Sequence, residues 1–193
     1  EELVKKKYKV LVLDNLSTGN IKNLRRVKNK IKFVKFDLLK NKNLSKLLSN
    51  IEYVFHLAAL SKVGESFKNS KIYYKTNVVG TQNLLNSINK NKIKKLIYSA
   101  SASCYGNPKE IPTSENAKIN TLSPYALTKW MSEKMIMEYA DIYKFPAISL
   151  RFFNVYGPRS TVSSAYSSVI SVFLKQKLTN KSLTIVGDGL QSR

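Results

Sequence analysis

Lys95-Leu96-Ile97-Tyr98-Ser99 is a short, mostly apolar run, and a second such run is Ala147-Ile148-Ser149-Leu150-Arg151-Phe152. Between them, residues 125–143 repeat apolar side chains at the spacing of an α-helix. Short apolar runs predict buried strands, and a helix between two strands is the usual connection of a parallel pair. This segment therefore predicts a parallel β-α-β unit.

The same alternation extends along the chain. Further apolar runs predict strands at residues 9–13, 31–36, 53–57 and 183–186, and further periodic stretches predict helices at 44–49, 73–89 and 166–178. The first run is rich in Val and Leu, so we expect it to be buried on both faces. The predicted class is α/β, a doubly wound parallel sheet with helices on both faces.

The bulk properties predict one globular, cytoplasmic domain. The chain has 193 residues, of which 43% are hydrophobic, and no run of 18 or more apolar residues. Residues 1–7 lack the apolar region of a secretory signal, although the chain begins with Glu, which leaves a preceding segment open. The single cysteine, Cys104, rules out an internal disulfide and suits a reducing compartment.

The formal net charge of +21 would by itself suggest a nucleic-acid or anionic-membrane partner. The charge is almost all Lys, commonly beside Asn, as in Lys40-Asn41-Lys42-Asn43. A surface that follows phosphates more often uses Arg with interleaved aromatic residues. We therefore predict neither nucleic acid nor membrane as a partner. A basic, non-catalytic nucleic-acid-binding or regulatory protein remains the alternative from another class.

One motif of dinucleotide-binding sheets is absent. Such sheets open with a strand, a glycine-rich turn and a helix whose N-terminus holds the pyrophosphate. The printed sequence contains no Gly-x-Gly-x-x-Gly, and its first residues have the pattern of the end of that helix. We expect the chain to enter the fold after its first βα unit.

The strongest chemical motif is Ser123-Pro124-Tyr125-Ala126-Leu127-Thr128-Lys129. Pro124 suits the first turn of a helix, and residues four apart then lie on one helical face. A free phenol, with a pKa of about 10, is a poor base, and a nearby ammonium moves its pKa toward neutrality. A bare Tyr-x-x-x-Lys is usually a surface pair, so the surrounding sequence must decide. It supplies serines at 99, 101 and 103, just past a predicted strand, where ligands of such sheets collect.

With these residues in view, the chain resembles the extended short-chain dehydrogenase/reductase family, most closely its nucleotide-sugar 4-epimerases. The resemblance extends over essentially the whole chain, through the segments 13–20, 37–38, 56–59, 63–66, 77–81, 98–106, 125–129, 151–159 and 187–193. It implies a Rossmann fold that is incomplete at both ends. Residues 1–193 would form its NAD-binding domain, with the substrate-binding region beginning at about residue 154.

The resemblance implies NAD as cofactor. Asp14, at the end of a strand, would bind the adenosine ribose, and its charge would repel a 2′-phosphate, which favours NAD over NADP. His56, the only histidine, would be structural. The full set of expected cofactor residues is Asp14, Asn15, Ser17, Gly19, Asp37, Leu38, Leu57, Ala58, Ala59, Asn77, Ser99, Tyr125, Lys129 and Phe153.

The resemblance also implies a UDP-sugar substrate and three catalytic residues. Tyr125 would act as base toward the sugar 4-hydroxyl, Lys129 would lower the pKa of that phenol, and Ser101 would hydrogen-bond the reacting oxygen. The expected substrate-binding residues are Ser101, Ser103, Asn154 and Arg193. No metal is required. Family members are commonly dimers, so a homodimer is one expected assembly.

A related chemistry is the second enzymatic hypothesis. Sugar-nucleotide 4,6-dehydratases resemble this chain but place acidic residues before the Tyr-Gly pair, because the loss of water needs an added acid and base. Here those positions are Ala102 and Ser103. The sequence therefore favours epimerisation over dehydration, with the dehydratase or a related modifier as the alternative, and it leaves the hexose open.

Overall fold

A computed structural model describes residues 1–40, 42–159, 169–185 and 187–190. Its elements in chain order are α1 (Glu2–Lys5), β1 (Val10–Asp14), β2 (Ile31–Lys35), α2 (Leu44–Leu48), β3 (Tyr53–His56), α3 (Val63–Lys68), α4 (Ser70–Tyr73), α5 (Gly80–Ser87), β4 (Lys95–Ser101), α6 (Pro124–Ile142), β5 (Ala147–Phe152) and α7 (Val169–Leu178). A π-helix (Tyr74–Val79) joins α4 to α5, and short 3₁₀ helices occur at Ile21–Leu24, Lys28–Lys30 and Ala102–Tyr105.

The predicted parallel β-α-β unit is confirmed. The strands β4 and β5 are parallel neighbours, with Leu96 beside Ala147 and Tyr98 beside Ser149, and α6 connects them. Every described strand pair is parallel. Five of the six predicted strands form within a few residues of the predicted bounds, which confirms the α/β class.

The strands form two hydrogen-bonded sheets where a single one was predicted. One contains β1 and β2, and the other has the order β3-β4-β5. In a sheet of order 3-2-1-4-5-6, the first strand separates exactly two such groups. The two described sheets match the strands on either side of that position.

The core lies on one face of the three-stranded sheet. Its buried side chains come from α2, α5 and α6 and from one face of β3 and β4, and include Leu44, Leu85, Leu96 and Ile136. On the opposite face, the side chains of β3 and β5 are 38–48% exposed, as for Phe55 and Leu150. The expectation that β1 would be buried on both faces is wrong, because all five of its residues are only half-buried. It has one strand neighbour among the described residues.

The chain divides into two compact units, Glu1–Phe153 and Asn154–Arg193. The start of a substrate-binding region at about residue 154 stays a prediction. In the second unit, α7 confirms the described part of the helix predicted at 166–178, and residues 166–168 lie outside the described residues.

The strand predicted at residues 183–186 is wrong for residues 183–185, and Val186 lies outside the described residues. The backbone N–H of Thr184 donates to the side-chain oxygen of Gln176, at 3.2 Å, so a side chain takes the bond that a neighbouring strand would supply.

Within the described ranges, no helix combines the length and the apolar character needed to cross a membrane.

Candidate active site

The start of α6 fixes the positions of Tyr125 and Lys129. The Ser123 hydroxyl accepts a hydrogen bond from the backbone N–H of Ala126 at 3.1 Å, and Pro124 occupies the first helical position. A serine cap followed by proline is a strong helix start. Both candidate catalytic side chains therefore lie in the first two turns of this helix.

Tyr125 is a half-buried phenol at the amino-terminal end of α6. Its ring lies edge-on to that of Tyr73, with 6.5 Å between the centroids. Burial raises the pKa of Tyr125, and a side-chain hydrogen bond with Ser101 opposes that rise. Ser101, at the end of β4, therefore acts on the phenol, and the catalytic roles of these two residues stay predictions.

Lys129 is almost completely buried, with 4% of its surface exposed. Burial lowers the pKa of its ammonium to about 8, and the charge of Glu133 acts in the opposite direction. The ammonium nitrogen lies 4.3 Å from the centroid of the Tyr98 ring. Ser101 is the residue that lowers the pKa of Tyr125 here; an effect of Lys129 on that phenol stays a prediction.

The serines after β4 form a hydroxyl pair. Oγ of Ser101 and Oγ of Ser103 are 2.8 Å apart, and the Ser103 backbone N–H donates to Ser101 Oγ at 3.2 Å. Together with Ala102, these residues place no carboxylate where dehydratases carry one. The arrangement presents neutral hydrogen-bonding groups beside Tyr125.

Asn77 links the loop after β3 to α6. Its Oδ1 accepts from the Leu60 N–H at 2.8 Å, and its Nδ2 donates to the Leu60 carbonyl at 3.1 Å and to Thr128 Oγ1 at 3.0 Å. The Ser132 hydroxyl donates to the Asn77 carbonyl at 2.8 Å. In this arrangement the amide of Asn77 holds the loop that includes Leu57, and direct contact with a cofactor stays a prediction.

The loop after β1 gathers several of the predicted cofactor residues. Asp14 Oδ1 accepts from the Leu16 N–H at 2.6 Å, and Asn15 Nδ2 donates to Asp37 Oδ2 at 3.1 Å. A Cβ atom at Gly19 would lie 3.0 Å from Asp14 Oδ2. Glycine at position 19 therefore leaves the Asp14 carboxylate accessible. Ser17 lies exposed in the same loop.

The remaining predicted residues are more dispersed. Leu38 follows β2, and its carbonyl accepts from Asn83 Nδ2 at 2.8 Å. Phe153 follows β5, is 66% exposed and stacks on Tyr105 with 6.5 Å between the centroids. Leu57, Ala58 and Ala59 follow β3, and Leu57 is 67% exposed. Ser99 is half-buried in β4, Asn154 opens the second unit, and Arg193 lies outside the described residues.

These features fit two parts of a dinucleotide. An accessible carboxylate at the end of β1 suits the hydroxyls of a ribose, and a buried ammonium near the end of β4 suits a second ribose. The glycine-rich turn that would hold the pyrophosphate is not in the printed sequence. The described residues contain no group of three or more His, Cys, Asp or Glu side chains arranged to hold a metal.

The sequence profile of the NAD dependent epimerase/dehydratase family matches residues 1–193, the whole chain. The chain belongs to this family.

Individual relatives agree with this assignment. The UDP-glucose 4-epimerase of Lactobacillus helveticus is 38% identical over 202 residues, which cover 100% of this chain and 60% of that protein. The crystal structure of the Thermotoga maritima UDP-glucose 4-epimerase with UDP-glucose aligns with a TM-score of 0.90 at 33% identity, over 97% of this chain and 61% of that one. A UDP-N-acetylglucosamine 4-epimerase from Methanobrevibacter ruminantium M1, in complex with UDP-N-acetylmuramic acid, aligns with a TM-score of 0.89 at 36% identity, over 95% of this chain and 59% of that one. The chain thus spans about three fifths of the length of these relatives.

The structure adds residues around the site that the sequence patterns did not single out. Arg151 forms a bidentate ion pair with Glu133, with a shortest N–O distance of 2.7 Å, and also donates to the Tyr105 hydroxyl at 2.7 Å. Glu133 lies one helical turn after Lys129, so the helical period could have identified it. Tyr98 could not be found this way, because its contact with Lys129 depends on how β4 packs against α6.

Proposed function

We propose that this chain is the central part of an NAD-dependent UDP-sugar 4-epimerase. The observation that carries the proposal is that Ser101, at the end of β4, lowers the pKa of the Tyr125 phenol, while Lys129 is buried one turn further along the same helix. The family assignment and the similarity to known UDP-sugar 4-epimerases support it. A hydroxyl donor, a phenol and a buried ammonium are the groups that proton removal from a sugar hydroxyl needs.

The proposed mechanism assigns one task to each residue. Tyr125, as the phenolate, takes the proton from the sugar 4-hydroxyl, and Ser101 hydrogen-bonds the same oxygen as it becomes a carbonyl. Lys129 stabilises the phenolate by its charge. Tyr125 then returns the proton when the carbonyl is reduced from its other face. Ser103 holds the Ser101 hydroxyl in position through their 2.8 Å contact.

NAD, when bound, would accept the hydride from sugar C4 and give it back. The residues that would hold it are Asp14 and its loop for the adenosine ribose, and Tyr125 and Lys129 for the nicotinamide ribose. Asn77 would keep the loop at 57–60 in place through its two bonds to Leu60. Asn154, and Arg193 beyond the described residues, are the proposed ligands of the substrate diphosphate.

The test measures interconversion of UDP-glucose and UDP-galactose by the full-length chain carrying Tyr125→Phe or Lys129→Met. Each change should lower kcat at least about a hundredfold, the usual scale of losing a general base or its charge. Tyr143→Phe and Lys134→Met are matched controls, because both side chains are exposed on or next to the same helix. Near-normal turnover of Tyr125→Phe would refute the assignment.

Product mass separates epimerisation from its alternative. An epimer keeps the mass of the substrate, whereas a 4,6-dehydratase product has lost one water. The neutral pair Ala102 and Ser103 before Tyr105 supports the epimerase. Detection of a dehydrated product by mass spectrometry would replace the proposal with the dehydratase.

The proposal extends to a cytoplasmic homodimer. Supporting side chains are the apolar residues that α3, α4 and α6 leave exposed, namely Phe67, Ile72, Leu127 and Met131. Leu127 and Met131 lie four residues apart on one face of α6. Light scattering should give a dimeric mass for the full-length chain and a monomeric mass for Met131→Glu. Equal masses for the two proteins would contradict this interface.

A further inference from the structure

The register of the three-stranded sheet places Tyr98 between two other polar side chains. His56 on β3 and Ser149 on β5 are its direct neighbours across the sheet. All three point to the face that packs against the core helices, because β3 and β4 bury alternate residues. Tyr98 is 1% exposed, and its ring faces the Lys129 ammonium nitrogen at 4.3 Å.

In the part of the chain that the structure describes, no charged group near Lys129 pairs with its ammonium, which leaves the Tyr98 ring as the group that can stabilise the charge. Glu133 lies one turn away on α6, but Arg151 from β5 engages both of its oxygens. His56 on β3 is neutral, since burial lowers its pKa to about 3. Tyr125 on α6 is a neutral phenol at rest. Within the described residues, no carboxylate forms an ion pair with Lys129.

An ammonium removed from water without a partner is costly, and the Lys side chain is long enough to turn elsewhere. The negative face of an aromatic ring attracts a cation most strongly when both are desolvated. Tyr98 supplies such a face. Its hydroxyl contacts the Lys129 carbonyl, at 3.5 Å, and the Ser132 side chain. The aromatic ring of Tyr98, and not its hydroxyl, is therefore the group that faces the Lys129 ammonium.

We propose that Tyr98 is a positioning residue whose aromatic face keeps the Lys129 ammonium charged and directed toward the catalytic phenol. This inference deepens the proposed function and rests on the role given there to Lys129. Tyr98 itself touches neither substrate nor cofactor in this proposal. It acts by making the charged form of a buried lysine less costly.

The experiment changes the electron density of the ring at nearly constant volume. Phenylalanine at position 98 keeps the negative face and removes the hydroxyl, whereas 3,4,5-trifluorophenylalanine keeps the shape and strongly weakens that face. The pKa of the Lys129 ammonium is measured in each by NMR titration of lysine side chains, with the signal assigned through Lys129→Arg. Tyr98→Leu serves as a third variant that lacks a ring.

The Tyr98→Phe protein should keep the pKa of Lys129 near its native value of about 8. Trifluorophenylalanine should lower it by about one pH unit relative to phenylalanine, and Tyr98→Leu should lower it further. Equal pKa values in the phenylalanine and trifluorophenylalanine proteins would overturn the proposal, whatever the stability of the leucine variant.

Turnover distinguishes this inference from the proposed function. At neutral pH, kcat should be lower in the trifluorophenylalanine protein than in the native protein. The Tyr98→Phe protein should show the native pH dependence of kcat. If the pKa of Lys129 responds to the ring while Tyr125→Phe keeps full epimerase activity, the contact is real and the proposed function fails. If Tyr125→Phe is inactive but the pKa does not respond, the role of Tyr98 fails and the proposed function is retained.

Discussion

The side-chain amide of Asn77 donates to the hydroxyl of Thr128 at 3.0 Å, and this bond joins the π-helix after α4 to the helix that carries Tyr125 and Lys129. Both residues are buried, and the Thr128 hydroxyl donates in turn to the Tyr125 carbonyl at 2.8 Å. The loop at 57–60 and the amino-terminal end of α6 are thereby held in one polar network.

Loss of this amide should weaken both the fold and the site. We expect Asn77→Ala to lower the free energy of unfolding by about 3 kcal/mol, because it removes two hydrogen bonds to the backbone of Leu60 and one to the Thr128 hydroxyl. Thr128→Val, which removes the hydroxyl that accepts from Asn77 and donates to the Tyr125 carbonyl, should cost about 1–2 kcal/mol. Urea denaturation followed by circular dichroism measures both. Asn91→Ala, an exposed asparagine, is the control; an equal effect of Asn91→Ala and Asn77→Ala would contradict the network.

Gly19→Ala tests the Asp14 site without disturbing the core. The added Cβ would meet the Asp14 carboxylate at 3.0 Å, so that carboxylate must move. We expect the affinity of the full-length chain for NAD to fall about tenfold, the scale of one charge-assisted hydrogen bond. Gly157→Ala is the matched control, because nothing lies within 4 Å of a Cβ there. Equal affinities of the two variants for NAD in calorimetric titrations would show that Gly19 is not part of the cofactor site.

His56 should make the protein sensitive to acid. Its Nε2 lies 2.8 Å from Thr81 Oγ1, whose own proton goes to the Asn77 carbonyl at 2.5 Å, so His56 is the donor. Burial lowers its pKa to about 3, below the value of about 6.5 of an unfolded chain. A group with a depressed pKa in the folded state contributes stability that is present above about pH 6.5 and is lost as the pH falls toward 3.

The pH slope of stability measures this contribution. Between about pH 6.5 and 4.5, the native chain should lose about 1.4 kcal/mol per pH unit more than His56→Gln, which keeps a donor for Thr81 without titrating. Denaturation at a series of pH values gives the two slopes. Parallel slopes would mean that the pKa of His56 in the folded protein is not lowered by burial.

Ser149 offers a stabilising substitution. Its hydroxyl is the buried side-chain oxygen that finds no hydrogen-bond partner among the described residues. Ser149→Ala should therefore raise the free energy of unfolding by about 1 kcal/mol. Ser132→Ala is the opposing control, because its hydroxyl donates to the carbonyls of Asn77 and Thr128 and its loss should destabilise. A destabilising Ser149→Ala would indicate a partner for that hydroxyl.

The sequence predicted the positions of the strands and helices better than it predicted which strands pair. The apolar runs predicted five of the described strands, and the first of them, β1, ends at the polar residue Asp14. The serine cap and Pro124 gave the start of α6. The separation of β1 from β3 could only be inferred from an absent motif, since the pairing of strands depends on residues far apart in the chain.

The sequence named candidate site residues, but it did not predict which side chains surround them. Ser101 acts on the pKa of Tyr125, and the catalytic roles of both residues stay predictions. The burial of Lys129 and its contact with Tyr98 follow from the packing of α6 against β4, which no local pattern encodes. The strand prediction is wrong for residues 183–185, where the backbone N–H of Thr184 donates to the Gln176 side chain, a contact that an apolar run does not reveal.

The split sheet has a practical consequence for handling this polypeptide. Natural sheets discourage intermolecular pairing by placing lysine or proline on their edge strands. The strand β2 follows that rule with Lys32 and Lys35, whereas Tyr53-Val54-Phe55-His56 in β3 carries neither and leaves Phe55 exposed. During expression and refolding, this edge is an aggregation hazard, and a lysine at position 55 is the change that should keep concentrated samples from precipitating.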